Sequence, residues 1–387
     1  MIIAILTIIL TFAVTILITA GVIKPKYYPY CVALISLGLV YQTTMLGIYT
    51  VGSDIQRESY LSRVAMNGWS PGAAGLGQSN TSIVVGIIAP LLSTLLHMDM
   101  TWVYKAVLPL FLVATPVILF HAFRLQIGDL KAYFATLFFM IVPVFNLEIA
   151  QIGKSMVAEF FLALMILSMV SKTKWKSVGI IGSLLMTIFC HYTIGILAVC
   201  YLIAVVTGRL VTHKIKWGIL ANRTIPIKTM VVALVLGLIA LLSYYSYVLS
   251  GEMVHTVAGI PKAVAVDTQV ASEAQQDNYL ENQEYLVKAG IGLDFADATA
   301  VGKIFRVIQY LTELLIVVGA VYLLFNYKRY NFSLEFMICV GASFVLLLFC
   351  IFIPKFSVII NMTRFYQVSL FFLAPMLALG IDAVKYE

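Results

Sequence analysis

The stretch Val51-Gly52-Ser53-Asp54-Ile55-Gln56-Arg57-Glu58-Ser59-Tyr60 gathers two carboxylates and a guanidinium within five positions, in a chain with only 11% charged residues. Asp54, Arg57 and Glu58 stand at i, i+3 and i+4, so a helix capped by Ser53 or Asp54 would carry all three on one face. A carboxylate that is ionised at neutral pH and held just above lipid can take the proton of an attacking hydroxyl, which makes Asp54 a candidate general base. Glu58 is placed with it in the catalytic pair, and Arg57 and Glu58 would orient Asp54 and tune its pKa. A salt-bridged helix lying on the membrane accounts for the same spacing without chemistry.

Other polar groups recur where apolar runs begin or end. Lys154 stands at the mouth of such a run with Glu159 about one turn deeper, and an acid on a membrane helix costs on the order of 2.5 to 3.5 kcal/mol unless it is paired or used. Snorkelling accounts for Lys154 but leaves Glu159 in need of a partner. His191 and Tyr192 fall at a tight turn, where an aromatic interface anchor is the plainer reading. Arg364 and Tyr366 open the last apolar run; both suit an interface, and a guanidinium there also suits a phosphate. Glu313, in the middle of an apolar run, has no partner in the sequence around it.

The elements that must position these groups are membrane helices. The chain has 387 residues, 61% of them hydrophobic, which excludes a water-soluble globular enzyme and predicts an all-α polytopic membrane protein. With roughly 20 apolar residues per crossing, spans are expected near 2–22, 30–50, 102–122, 130–147, 155–171, 177–191, 193–207, 229–249, 304–325, 335–353 and 365–380, about eleven in all. The first is read as a retained helix, since no basic residue precedes it. Ile83 to Leu96 is short and holds Gly86 and Pro90, so it is expected to lie along the outer surface. On that arrangement 15 of the 25 Lys and Arg fall in inner loops against four acids, the bias expected of cytoplasmic loops, and the C-terminus is cytoplasmic.

One integral membrane domain over 1–387 is therefore expected, with outer segments at 51–101 and 250–303. The second outer segment is acidic and reads as a solvated helix and loop or as a lid. The net charge of +7 is an orientation signal, with no nucleic-acid partner implied. Five cysteines (Cys31, Cys190, Cys200, Cys339, Cys350) lie in apolar runs and read as small hydrophobes. No P-loop, dinucleotide fingerprint, HExxH or zinc-spaced Cys/His cluster occurs, and the glycosylation sequons at Asn80, Asn222, Asn331 and Asn361 are weak signals.

Gly52 to Glu58, the Thr101-Trp102-Val103-Tyr104-Lys105 entry, Lys154-Ser155 to Glu159, His191-Tyr192 and Arg364-Phe365-Tyr366, taken in that order, resemble membrane glycosyltransferases of the GT-C superfamily, and more narrowly an uncharacterised, mainly archaeal group with GT-C-like features. The resemblance implies a GT-C-like bundle with juxtamembrane helices in the first large outer loop. It also implies inverting transfer of a sugar, on the outer face of the cell membrane, from a polyprenyl-phosphate-linked donor to a glycan, lipid or protein acceptor. Asp54 would be the base; Arg57, Lys154, His191 and Arg364 would meet the donor phosphate, with Glu159, Tyr192 and Tyr366 in support. Many members carry two adjacent acids where Ser53 and Asp54 stand here, so the use of a divalent metal is open. A surface-polysaccharide polymerase or ligase would use similar chemistry. A transporter or flippase would instead line a pathway with Glu159, Glu313 and Arg364.

Overall fold

The computed structural model describes residues 2–70, 78–214, 225–248, 295–296, 298–352 and 362–386. The second outer segment, 250–303, falls mostly outside the described residues, as do the sequons at Asn222 and Asn361. The described residues form helices and turns: α1 Ile2–Thr19, α2 Tyr28–Thr44, α3 Ser53–Ala65, α4 Ala89–Leu96, α5 Met100–Trp102, α6 Pro109–Ile127 and α7 Asp129–Ile141 come first. They are followed by α8 Gly153–Val170, α9 Lys176–Cys190, α10 Tyr192–Lys214, α11 Ile227–Val248, α12 Ala300–Asn326, α13 Leu334–Phe352 and α14 Met362–Tyr386. The described residues are thus all-helical, and the chain is a polytopic membrane protein.

Among the described residues seven helices are long and apolar enough to cross a bilayer, or eight if a bent pair counts as one span. The expected eleven are not all found among the described residues: the run expected at 335–353 appears as a shorter apolar helix, Leu334–Cys350, and three other shortfalls have a local cause. The run expected at 130–147 is broken by 56° between Asp129–Ile141 and Val144–Gln151, where Val142 precedes Pro143 and is pushed to extended geometry at φ −61°, ψ 128°. The run near 30–50 leaves the helix after Thr44, and Gly47 takes a φ of +65° that favours glycine. α9 has 15 residues and stops at His191, which is extended; at 1.5 Å per residue it is about 22 Å long, short of a core about 30 Å thick. Val84–Leu96, which is not among the eleven, is a shorter apolar helix.

Two compact units divide the chain: Met1–Gly251 with Tyr330–Cys339, and Glu252–Arg329 with Val340–Glu387. In the first, α8 is the most enclosed span, 72% buried, with α6, α9 and α10 packed around it, while α1 at 17% faces outward. α1 is held by its threonines: Thr15 shares a hydrogen bond with Tyr133 of α7 at 2.8 Å, and Thr7 packs where Gly38 of α2 leaves room. Residues expected in the inner loops meet one another at one end of this unit. Arg124 pairs with Asp129 at 3.1 Å, Lys131 lies 4.9 Å over the Tyr330 ring, and Arg209 pairs with the buried Glu335 at 3.2 Å.

In the second unit α12 and α14 touch backbone to backbone. A Cβ on Gly319 would overlap the Met376 carbonyl, and one on Gly380 would overlap that of Leu315. Close approach through small residues is how helices gain packing where lipid removes the hydrophobic drive. Gly341, by contrast, faces open space. Gly319→Ala is therefore expected to destabilise the purified protein by about 1 to 3 kcal/mol through overpacking. Gly341→Ala is expected to be neutral or to stabilise by roughly 0.5 to 1 kcal/mol. Thermal unfolding in detergent checks the pair, and equal effects would contradict the crossing.

Candidate functional site

α3 begins where a side chain cannot fit. Gly52 has a φ of +115°, and a Cβ there would press into the side chain of Gln151. Gly52 itself occupies the cap position and no side chain caps the helix, so Ser53 and Asp54 do not play the capping role expected of them. Asp54 instead stands in the first turn, where the helix dipole favours a negative charge. The three charged groups of this helix also separate by exposure: Arg57 is exposed, Asp54 half-buried and Glu58 fully enclosed.

Glu58 reaches 96 residues along the chain to the start of α8. Its Oε2 accepts the backbone N–H of Lys154 at 3.1 Å, and its Oε1 lies 3.6 Å from the Lys154 ammonium. A first-turn N–H has no partner inside its own helix, so a carboxylate from a neighbour supplies both the bond and the charge that the dipole favours. Gly153 makes the approach possible: a Cβ there would lie 3.0 Å from Oε2 and 2.6 Å from the Tyr104 ring. Lys154, 7% exposed, also donates from its ammonium to Ser79 Oγ at 3.1 Å. Burial pushes the Glu58 carboxyl above the usual range, Lys154 pulls it back, and the Asp54 charge adds to the rise.

The Ser79 contact opens onto a segment whose role the sequence reading missed. Ser79, Asn80, Thr81 and Ser82 are all buried. Asn80 donates to the Ser70 carbonyl at 2.7 Å and accepts at its own carbonyl from the Trp69 indole at 3.0 Å, so it is a core residue and not an exposed sequon. Tyr244 donates to the Thr81 carbonyl at 2.6 Å, and Ser82 Oγ donates to Cys190 O at 2.6 Å. Four small polar residues directly before the apolar run at Ile83 were the available signal.

Cys190 precedes His191, so this segment links the Glu58–Lys154 pair to the break between α9 and α10. His191 is 1% exposed and stacks on Tyr192 with ring centroids 5.4 Å apart. Tyr192 meets Tyr245, which packs against Tyr244, itself in contact with Phe189. Glu159 is also buried, deeper in α8. On the other flank of α3, Tyr104 bonds Ser62 at 2.8 Å, and Ser62 bonds the Val85 carbonyl at 2.9 Å. Arg63 reaches Thr101 at 2.7 Å and Asp99 at 3.4 Å. Hydrogen bonds from Thr101 hold the Asp99 carboxyl below its ordinary range.

Arg364 and Tyr366 belong to the second unit, at the start of α14. Glu313 finds its partner one turn back on its own helix: Gln309 donates to it at 3.0 Å, and Arg306 donates to Gln309 at 2.8 Å. Among the described residues no three His, Cys, Asp or Glu side chains are grouped to hold a metal ion. All five cysteines are free, three buried and two partly so.

The helices and their buried polar ties define a polytopic membrane protein. The chain belongs to the family described as "Predicted membrane protein (DUF2206)", whose model matches residues 177–386. The description gives no activity; the matched stretch includes His191, Tyr192, Glu313, Arg364 and Tyr366 and leaves out Asp54, Glu58 and Lys154. No curated protein and no solved structure matches the chain.

Lys154→Met leaves Glu58 enclosed without its counter-charge and is expected to cost about 3 to 5 kcal/mol of stability, most of it recovered when Glu58→Leu is added. In the single variant the Glu58 pKa lies further above its unfolded value. The folded state then binds the extra proton, so stability falls as pH rises from the ordinary carboxylate range through the raised pKa, more steeply than in the native protein. Thermal unfolding across pH 4 to 9 measures both effects.

Proposed function

We propose that the protein transfers a sugar from a polyprenyl-phosphate-linked donor to a hydroxyl-bearing acceptor at the outer face of the cell membrane, with Asp54 as the general base. The observation that supports this most is the contrast between Asp54 and its surroundings. Asp54 is the half-buried, reachable carboxylate on a helix whose start is wedged against Gln151 and whose underside is pinned to α8 through Glu58. A base must be accessible to its substrate yet held in place, and that arrangement meets both conditions.

In the proposed step the acceptor oxygen attacks the anomeric carbon from the side opposite the phosphate. The new C–O bond forms as the bond to phosphate breaks, Asp54 takes the acceptor proton, and the bonding electrons leave on the lipid phosphate. Arg57, exposed one turn from Asp54, is the cation placed to meet that growing charge. Glu58 has no exposed surface, so in this reading it is a positioning residue, and Lys154 serves the same frame. A lipid donor is favoured because nucleotide sugars are usually bound by a doubly wound α/β domain, and the described residues contain no strand. A polysaccharide polymerase or ligase would run the same step on a longer donor.

A transport reading draws on a different observation, the Arg306–Gln309–Glu313 ladder within the α12 span. The two are separated by Asp54→Asn. Transfer of sugar from lipid-linked donors in native membranes, followed by mass spectrometry, is expected to fall by about 10²- to 10⁴-fold while the protein stays folded. Full transfer by the variant would overturn the assignment.

A further inference from the structure

Lys105 has a side chain only 1% exposed, yet it carries an ammonium group. Its Nζ donates to three backbone carbonyls, Leu46 at 3.2 Å, Gly47 at 3.2 Å and Tyr49 at 2.9 Å, so all three of its N–H bonds are used. Those carbonyls belong to the loop that follows α2 and leads into α3. The side chains of the same loop point away from them: Ile48 is 78% exposed and Tyr49 77%.

With the side chains of the loop turned outward, its carbonyls meet a buried ammonium, and a carbonyl left unsatisfied in such surroundings costs stability. An ammonium from a neighbouring element meets three at once. It also sits near the carboxyl end of α2, where the helix dipole favours a cation. Lys105 is brought there by a π-helical turn, Val103–Val107. The turn also leaves the Ala106 carbonyl to Tyr41 of α2, so α2 holds the turn as the turn holds the loop. Beyond Tyr49, Gln56 of α3 donates to the Thr50 carbonyl at 3.0 Å, and Gly52 and Asp54 follow.

We propose that Lys105 is a further positioning residue of the Asp54 site, beside the Glu58–Lys154 pair: its ammonium latches the loop 45–51 from behind and thereby fixes where α3 begins, just ahead of Asp54. The latch itself is geometric; its link to catalysis rests on the sugar-transfer reading.

Hydrogen–deuterium exchange of the full chain in lipid nanodiscs tests the two separately. In Lys105→Met, amides of residues 45–57 are expected to exchange about tenfold faster or more, with α8 and α9 unchanged. In Lys105→Ala, propylammonium, which restores the deleted group, is expected to slow that exchange again, whereas tetramethylammonium, which has the charge but no N–H, is not. Sugar transfer from native lipid donors should fall and recover in step. Unchanged exchange at 45–57, faster exchange spread evenly over the first unit, or rescue by tetramethylammonium would each overturn the latch. If exchange behaves as expected but Asp54→Asn retains transfer, the latch stands and the sugar-transfer reading fails.

Discussion

A carboxylate and an ammonium enclosed together between two helices decide how the first unit is built. Glu58 and Lys154 are both nearly free of solvent contact, and the cost of removing two charges from water is met only if their geometry and their remaining hydrogen bonds are good. The bond from Lys154 N–H, the bond to Ser79 and the missing side chain at Gly153 all serve that requirement. α3 has mean polarity too high to be a span, yet it is held against α8, the most enclosed span of its unit, by this pair. Asp54 inherits its position from a bond made one turn below it.

Departures from α-helix gather around the same place. Val84–Ile88, Val103–Val107 and Val144–Glu148 are π-helical turns, and a short 3-10 turn follows at Ile149–Gln151. α3 packs on the first and on the 3-10 turn, and α2 packs on the other two. Side chains from other elements reach carbonyls in each π turn: Ser62 bonds Val85, Tyr41 bonds Ala106 and Thr43 bonds Asn146. Such turns are frequent at functional sites, where a helix must re-aim a side chain without ending. Here one of them aims Lys105 and another lies beside the kink at Pro143.

Composition and apolar runs made the membrane class and most helix positions legible, because burial in lipid is a property of length and hydropathy that needs no tertiary information. The spacing of Asp54, Arg57 and Glu58 read as a helix, and α3 is one, but nothing in that spacing pointed to the partner of Glu58, which lies 96 residues away. Lys105 was visible only as part of a motif, since nothing local shows that three carbonyls wait for it. Three expected spans are cut short or bent, near Gly47, at Pro143 and at His191, an effect that hydropathy averaging hides. Glu313 seemed unpartnered although Gln309 stood one turn away, because an amide in an apolar run is easily passed over as neutral.

In the proposed function the Glu58–Lys154 pair holds Asp54 where a lipid-linked head group would arrive. A cryo-EM structure of the full chain purified from its native membranes with bound lipid tests this directly. The account predicts a tail lying along the first unit with its phosphate and sugar within hydrogen-bond reach of Asp54 and Arg57, and the Glu58–Lys154 contact intact. A head group bound away from α3, or a polar pathway running through the helices with Asp54 left unoccupied, would contradict it.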